Sequence, residues 1–264
     1  MTDQPKDTAL AERIEGKTDK RDAVQLMVDH HKQQFARNLT RPDGHHIIHP
    51  DKFARLALTA VRTTPKLAQA TDASVLGALM VCAQLGLEPN SPLGQAYLVP
   101  FDDRKAGTTE ATLIIGYQGY IDLMYRSDRV ASVSADAVCE EDYFYFERGT
   151  NAHITHRPLL EGRGEVIAAY AIAELVSGAK PFEVLSKTAI EKRRGASKTD
   201  KIWSQHYEAM ARKSAIRALF KFMPSSVEWQ AAVIADGRSF TDIPERLEDV
   251  GDVIDVEAIE GDDQ

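Results

Sequence analysis

Cysteine is scarce in this sequence: Cys82 and Cys139 are the only two among 264 residues, and both sit in apolar surroundings. No C-x-x-C pair occurs, and neither cysteine has a histidine near it, so no thiol nucleophile is indicated. A reduced, cytoplasmic protein is the simplest reading. There is no run of 18 apolar residues, so no segment is suited to crossing a membrane. The first 22 residues are polar and mixed in charge, unlike a signal peptide. G-x-S-x-G is absent. Gly16-Lys17-Thr18 resembles the end of a phosphate-binding loop, but Ala11 stands where the first glycine is required and no apolar strand precedes it. ATP-driven action is therefore not expected.

What is present is charge, unevenly placed. The net charge is −8. From Asp242 to Gln264 ten acids face one base, Arg246, so this segment carries −9 and the other 241 residues carry +1. Between Lys187 and Lys221 ten lysines and arginines face three acids, Glu191, Asp200 and Glu208. An acidic tail thus masks a locally basic body, and the low isoelectric point does not argue against a nucleic-acid site.

Periodicity predicts helices over Ala23–Phe35, Pro50–Thr63 and Ala73–Leu85, the last capped by Thr71-Asp72 and stopped by Gly86. Short strands follow at Tyr97–Phe101 and Thr112–Tyr117, around a polar tip at Asp102–Glu110. Gly116 and Gly119 flank Tyr117 and Gln118 and lead into a helix, Tyr120–Arg126. Further strands are predicted at Val130–Cys139, Asp142–Glu147, Val166–Leu175 and Lys180–Leu185, then helices at Ser186–Gly195 and Val227–Ala235. Helices, an antiparallel meander and more helices make an α+β fold, with helices gathered on a small antiparallel sheet. Three parts are expected: residues 1–45 as a flexible helical segment, 46–240 as the folded core, and 241–264 as a disordered acidic tail.

The stretch Trp203–Pro224 reads as one helix of about five turns. Lys213, Arg217 and Lys221 fall on one face, with Ala211, Ala215, Ala218, Leu219 and Phe222 on the buried side. Arg212 falls beside Ile216 and Met223, where an arginine needs a partner. Lys192, Arg193, Arg194, Lys198 and Lys201 precede it, with Trp203, Tyr207, Phe220 and Phe222 interleaved. Cations along a helix with aromatics for stacking suit single-stranded nucleic acid, against the plainer reading of a solvated face.

Two metal readings compete and are weaker. Glu140, Glu141 and Asp142 could serve a Mg²⁺-dependent nuclease, but consecutive acids on a strand alternate faces, so at most two could share an ion. His153-x-x-His156 lies between strands and lacks a third ligand.

Three runs carry a resemblance: LGLEPNSPLGQAYLVPF (85–101), LIIGYQGYIDLMYRS (113–127) and WSQHYEAMARKSAIRALFKFMP (203–224). Together they resemble the RecT family of phage and prophage single-strand annealing recombinases, over roughly residues 50–235. The resemblance implies a protein that is not an enzyme in the bond-breaking sense. It would bind single-stranded DNA and anneal it to a complementary strand without ATP, as an oligomeric ring or filament in a bacterial host cell. It implies a core similar to the Rad52 and phage lambda Beta annealing proteins, a small sheet against a long basic helix. It implies a phage exonuclease and a host single-strand binding protein as partners, with no cofactor, Mg²⁺ at most assisting. By motif position Arg212, Lys213, Arg217 and Lys221 would contact phosphates, and Tyr117, Gln118 and Tyr120 would line the groove. Lys192, Arg193, Arg194, Lys198 and Arg126 extend it. The rivals are the nuclease, a passive strand-coating protein, and a sequence-specific duplex regulator. Helix 50–63 and the N-terminal segment are the expected contacts between copies.

Overall fold

A computed structural model describes residues 20–41, 43–103, 106–197, 200–223 and 227–251. The described residues divide into two compact units, one built from those up to Ile115 together with those from Gln230 to Gly251, the other from those between Gly116 and Trp229.

The first unit is built around a buried helix. Helices α1 (Lys20–His30), α2 (Lys32–Asn38) and α3 (Pro50–Thr63) precede it. Proline at the first position of α3 and the His49 ring accepting the Asp51 N–H start that helix, and Phe53, Ala57, Ala60 and Val61 form its buried face. Helix α4 (Asp72–Leu85) is apolar nearly all round and buried from Ser74 to Ala83. The Thr71 hydroxyl caps the Ser74 N–H, and Gly86 at φ 61° ends the helix in the left-handed conformation. Strands β1 (Ala96–Asp103) and β2 (Thr108–Ile115) pair antiparallel, with Ala96 opposite Ile115. The expected hairpin is thus present, but its strands run further into the polar segment than hydrophobicity alone indicates.

The C-terminal segment corrects a larger expectation. Helix α9 (Val227–Ala235) leads into residues that bridge β2: the Leu113 N–H donates to Arg238 O at 2.8 Å and Gly237 N–H to Leu113 O at 2.7 Å. The Ile115 N–H donates to Asp236 Oδ1 at 2.8 Å. Phe240 then lies on Gly77 of α4, where an added Cβ would stand 2.5 Å from the Phe240 Cβ. The Gln84 amide donates to the carbonyls of Pro244 and Glu245, and Val250 is fully buried. The first part of the expected disordered tail is therefore folded, because its few apolar side chains are docked on this helix. Residues 252–264 lie outside the described residues.

The second unit is a helix-and-sheet layer. Helix α5 (Tyr117–Arg126) is followed by β3 (Val130–Cys139), β4 (Tyr143–Glu147), β5 (His153–Arg157), β6 (Val166–Leu175) and β7 (Phe182–Ser186). Instead of one sheet, the unit holds a three-stranded antiparallel sheet in the order β3-β6-β7 and a separate ribbon, β4-β5. Strand β5 occupies the stretch around His153 and His156 that is expected to lie between strands. Helices α6 (Lys187–Gly195), α7 (Lys201–Gln205) and α8 (Tyr207–Phe220) complete the unit.

Strand alternation sorts the layers. Ala169, Ala171 and Ala173 of β6 are buried, as are Ala211 and Ala215 of α8, and α8 packs on β6, β3 and β7. Small side chains on both surfaces let the helix lie close to the sheet. Tyr170, on the other face of β6, stacks on Phe144 of the ribbon at 5.7 Å.

Candidate nucleic-acid interface

The expected five-turn basic helix is broken. His206, at φ −140° and ψ 47°, separates α7 from α8. No proline or glycine announces this break. Tertiary demands accompany it: Trp203 is buried, while the Tyr207 hydroxyl donates to Glu191 Oε1 at 2.7 Å and its ring packs on Ala137, Cys139 and Val166. Burial and then the Glu191 carboxylate push the Tyr207 pKa up to about 12, consistent with its hydroxyl donating this hydrogen bond.

The helix also stops early. It ends at Phe220, with Lys221 as its C-cap. Phe222, placed on the buried face by a helix continued to Met223, is instead 71% exposed, while Met223 turns inward. Pro224 and Lys198 lie outside the described residues.

Arg212 is likewise not on an apolar face. It is exposed, and no hydrogen bond or ion pair engages its side chain among the described residues. The row Glu208–Arg212–Ile216–Phe220 explains this. Its first two members are solvated and its last two are buried, so one helix face passes from water into the core along its length. A helical wheel, which collapses that length, merges the two environments. Lys213 and Arg217 are half-buried and Lys221 is exposed.

Helix α5 meets α8 through Tyr120, whose ring lies 4.8 Å from Phe220. Tyr120 is fully buried, so it supports this end of the unit and does not line a surface. Tyr117 and Gln118, one turn earlier, are exposed. The Tyr120–Phe220 contact places them at the same end of the unit as Lys221. Gly116, itself buried, is the N-cap of α5, without a side-chain cap and with no acid in the first turn. Gly116 has an ordinary extended backbone, φ −71° and ψ 157°, and needs no left-handed conformation.

The remaining predicted cations divide by what holds them. Lys192 and Arg193 are exposed in the last turn of α6, and Arg193 Nη1 donates to the Ala189 carbonyl at 3.0 Å. Arg194 forms a fork on Asp200 at 2.6 and 3.0 Å, pairs with Glu191 at 3.6 Å, and lies 6.0 Å over the Tyr207 ring. The Asp200 carboxylate raises its pKa further. Arg194 ties α6 to the start of α7 and α8. Arg126 is paired with Asp122 one turn earlier.

Of the acidic cluster, Glu140 and Glu141 are exposed, and Asp142 is the centre of a structural knot. The Asp142 carboxylate is fully buried and accepts from Arg163 Nη2 at 2.7 Å and Nε at 3.1 Å, and from the N–H groups of Cys139 at 2.8 Å and Leu159 at 3.0 Å. His156 Nε2 stands 3.2 Å away. Arg163, then these N–H groups, hold its pKa far below the usual carboxylate range despite burial. Its lone pairs are occupied, which leaves no room for Mg²⁺. His153 and His156 lie on strand β5, three residues apart and so on opposite faces. Among the described residues no group of three or more His, Cys, Asp or Glu could hold a metal.

Comparison with known proteins fits this layout. The RecT family model matches residues 51–250. The chain belongs to the RecT family. It is 44% identical to Protein RecT of Escherichia coli (strain K12) over 190 residues, 70% of this chain and 71% of that one. It is 30% identical over 183 residues to the uncharacterized protein YqaK of Bacillus subtilis (strain 168), covering 68% of this chain and 62% of YqaK. The RecT match runs past α9 to Val250, and so takes in the docked C-terminal segment. No helix among the described residues is long and apolar enough to cross a membrane.

Proposed function

We propose that this protein binds single-stranded DNA and anneals it to a complementary strand without ATP, in phage homologous recombination. The observation that carries the reading is RecT-family membership over residues 51–250. The exposed cations of α8 and α6 supply the matching chemistry. Phosphate contacts hold a strand without using its base edges, which stay available to a second strand. Two bare strands repel, and a basic surface lowers that cost by releasing counterions. Annealing breaks no covalent bond, so it asks for no catalytic residue and no cofactor, and Mg²⁺ would do no more than assist by screening.

In this reading Tyr117, Gln118, Lys192, Arg193, Lys198, Arg212, Lys213, Arg217 and Lys221 follow the strand. Arg194, Arg126 and Tyr120 hold the surface in shape. The sheet-backed α8 is the counterpart of the basic helix in a Rad52 or lambda Beta type core. The working form is a ring or filament, which needs head-to-tail surfaces, with α3 and the N-terminal segment as contacts. A phage exonuclease supplies the strand in the host cytoplasm, and a host single-strand binding protein is the second partner.

Labelled complementary oligonucleotides, mixed without ATP, test this. Pairing should be accelerated by the protein with or without chelator. Tight binding without acceleration would leave a coating protein, chelator-sensitive cleavage would make it a nuclease, and preference for one duplex at matched salt would make it a regulator.

A further inference from the structure

The ribbon β4-β5 has a face that the function above leaves unused. Tyr143 pairs with Arg157, Tyr145 with Thr155 and Glu147 with His153, so alternation puts these six residues on one face. The opposite face carries Phe144 and His156, both packed on Tyr170 of β6. His156 is further tied to the buried Asp142. The ribbon is therefore fixed through one face and open through the other. On the open face Tyr143 is 59% and Tyr145 48% exposed. The two rings are neighbours on one face, a contiguous patch and not a lone surface side chain.

A guanidinium and an imidazole stand beside these rings. The Arg157 guanidinium lies 5.7 Å from the centre of the Tyr143 ring, and the His153 ring lies 5.4 Å from that of Tyr145. The one carboxylate on the face, Glu147, accepts from the Tyr145 hydroxyl at 3.4 Å. At the end of β4, Arg148 pairs with Glu183 at 3.1 Å. Side chains two apart on a strand are spaced by about 7 Å, roughly twice the rise of stacked bases. Successive rings would thus meet successive bases of a stretched, unstacked strand.

We propose that the Tyr143–Tyr145 face is a stacking platform for unpaired nucleobases, with the Arg157 plane extending it. The Arg157 guanidinium beside the Tyr143 ring suits a strand of phosphates better than an apolar surface of a second copy. Stacking is tolerant of sequence, because every base has a π-face, and it leaves the pairing edges free. This rests on the single-strand reading above and adds a base contact to its phosphate contacts.

The test uses the full chain with two probes of equal length, a thymidine oligonucleotide and an abasic strand. The Tyr143→Ala/Tyr145→Ala variant should bind the thymidine strand about tenfold more weakly or worse. Its affinity for the abasic strand and its salt dependence should match the parent protein. The Tyr143→Phe/Tyr145→Phe variant, which keeps both rings, should bind both probes normally. If the alanine variant binds the thymidine strand as the parent does, or loses equally on both probes, the platform is overturned and the single-strand reading stands. A lower mass of the DNA-free alanine variant in light scattering, at unchanged affinity per chain, would make the face a contact between copies and also overturn it. Failure of the parent protein to bind the thymidine strand would overturn both.

Discussion

Arg163 and Arg212 lie in the same unit, and their guanidinium groups meet opposite surroundings. Arg163 is closed around the buried Asp142 at 2.7–3.2 Å and also donates to the Ala137 carbonyl. Arg212 stands on the solvated half of α8 with no ion pair among the described residues. Basic residues in this chain thus come in two kinds: those that spend their hydrogen bonds on the fold, and those that keep them for something outside it. Arg194 and Arg126 side with Arg163; Lys221 sides with Arg212. Counting cations along the sequence cannot make this division, because it is decided by carboxylates brought near in space.

The division can be broken by substitution. Arg163→Ala leaves the buried Asp142 charge without its main partner and should cost about 3 kcal/mol in urea unfolding, the lower end for such pairs because Arg163 is 23% exposed. DNA affinity per folded molecule should be unchanged; a comparable loss of affinity would place Arg163 among the binding cations. The same knot sets an acid limit. The folded pKa of Asp142 lies below its unfolded value, so its contribution is present above pH about 4 and declines as pH falls toward the folded value. Arg163→Ala should flatten the acid limb of the stability profile.

The next effect concerns acids. Removing 242–264 takes away the buried Val250 and the carbonyls that hold Gln84, at a cost of about 2 kcal/mol. Ending the chain after Gly251 should preserve stability and preserve or tighten DNA binding, since a phosphate-repelling segment is gone. Weaker binding by the shorter cut alone would show that the acids beyond Gly251 help.

Arg212→Ala and Lys221→Ala should leave the melting temperature in place and weaken binding to all sequences. Each should reduce the slope of log affinity against log salt by about 0.7. Unchanged slopes would return both residues to the solvated background. The smallest effect is expected at Arg194→Ala. It should lower stability measurably, though by less than Arg163→Ala, through a half-exposed, two-bond pair and leave the salt slope alone.

Elements with local punctuation were legible in the sequence. Pro50 opens and Thr63 closes α3 as predicted, and Thr71 and Gly86 bound α4 through a cap and a left-handed turn. Strands β3 and β6 have the predicted limits. What escaped were features set by tertiary contact. The break at His206 has no local signal. The early end of α8 reversed Phe222, and the lengthwise change of environment misplaced Arg212. Strand β5 has only one aliphatic residue, Ile154, and no polar–apolar alternation strong enough to mark it; its pairing with Tyr143–Glu147 defines it. Tyr120 read as a surface aromatic because a glycine-flanked turn does not reveal which of its rings meets Phe220.

The most direct measurement is the rate of pairing between complementary strands, without ATP, for the parent protein, Arg194→Ala and the Arg212→Ala/Lys221→Ala variant. The parent and Arg194→Ala should accelerate pairing alike, and the double variant should lose most of the acceleration while remaining folded. Equal acceleration by all three would contradict the claim that the outward-facing cations of α8 carry the annealing.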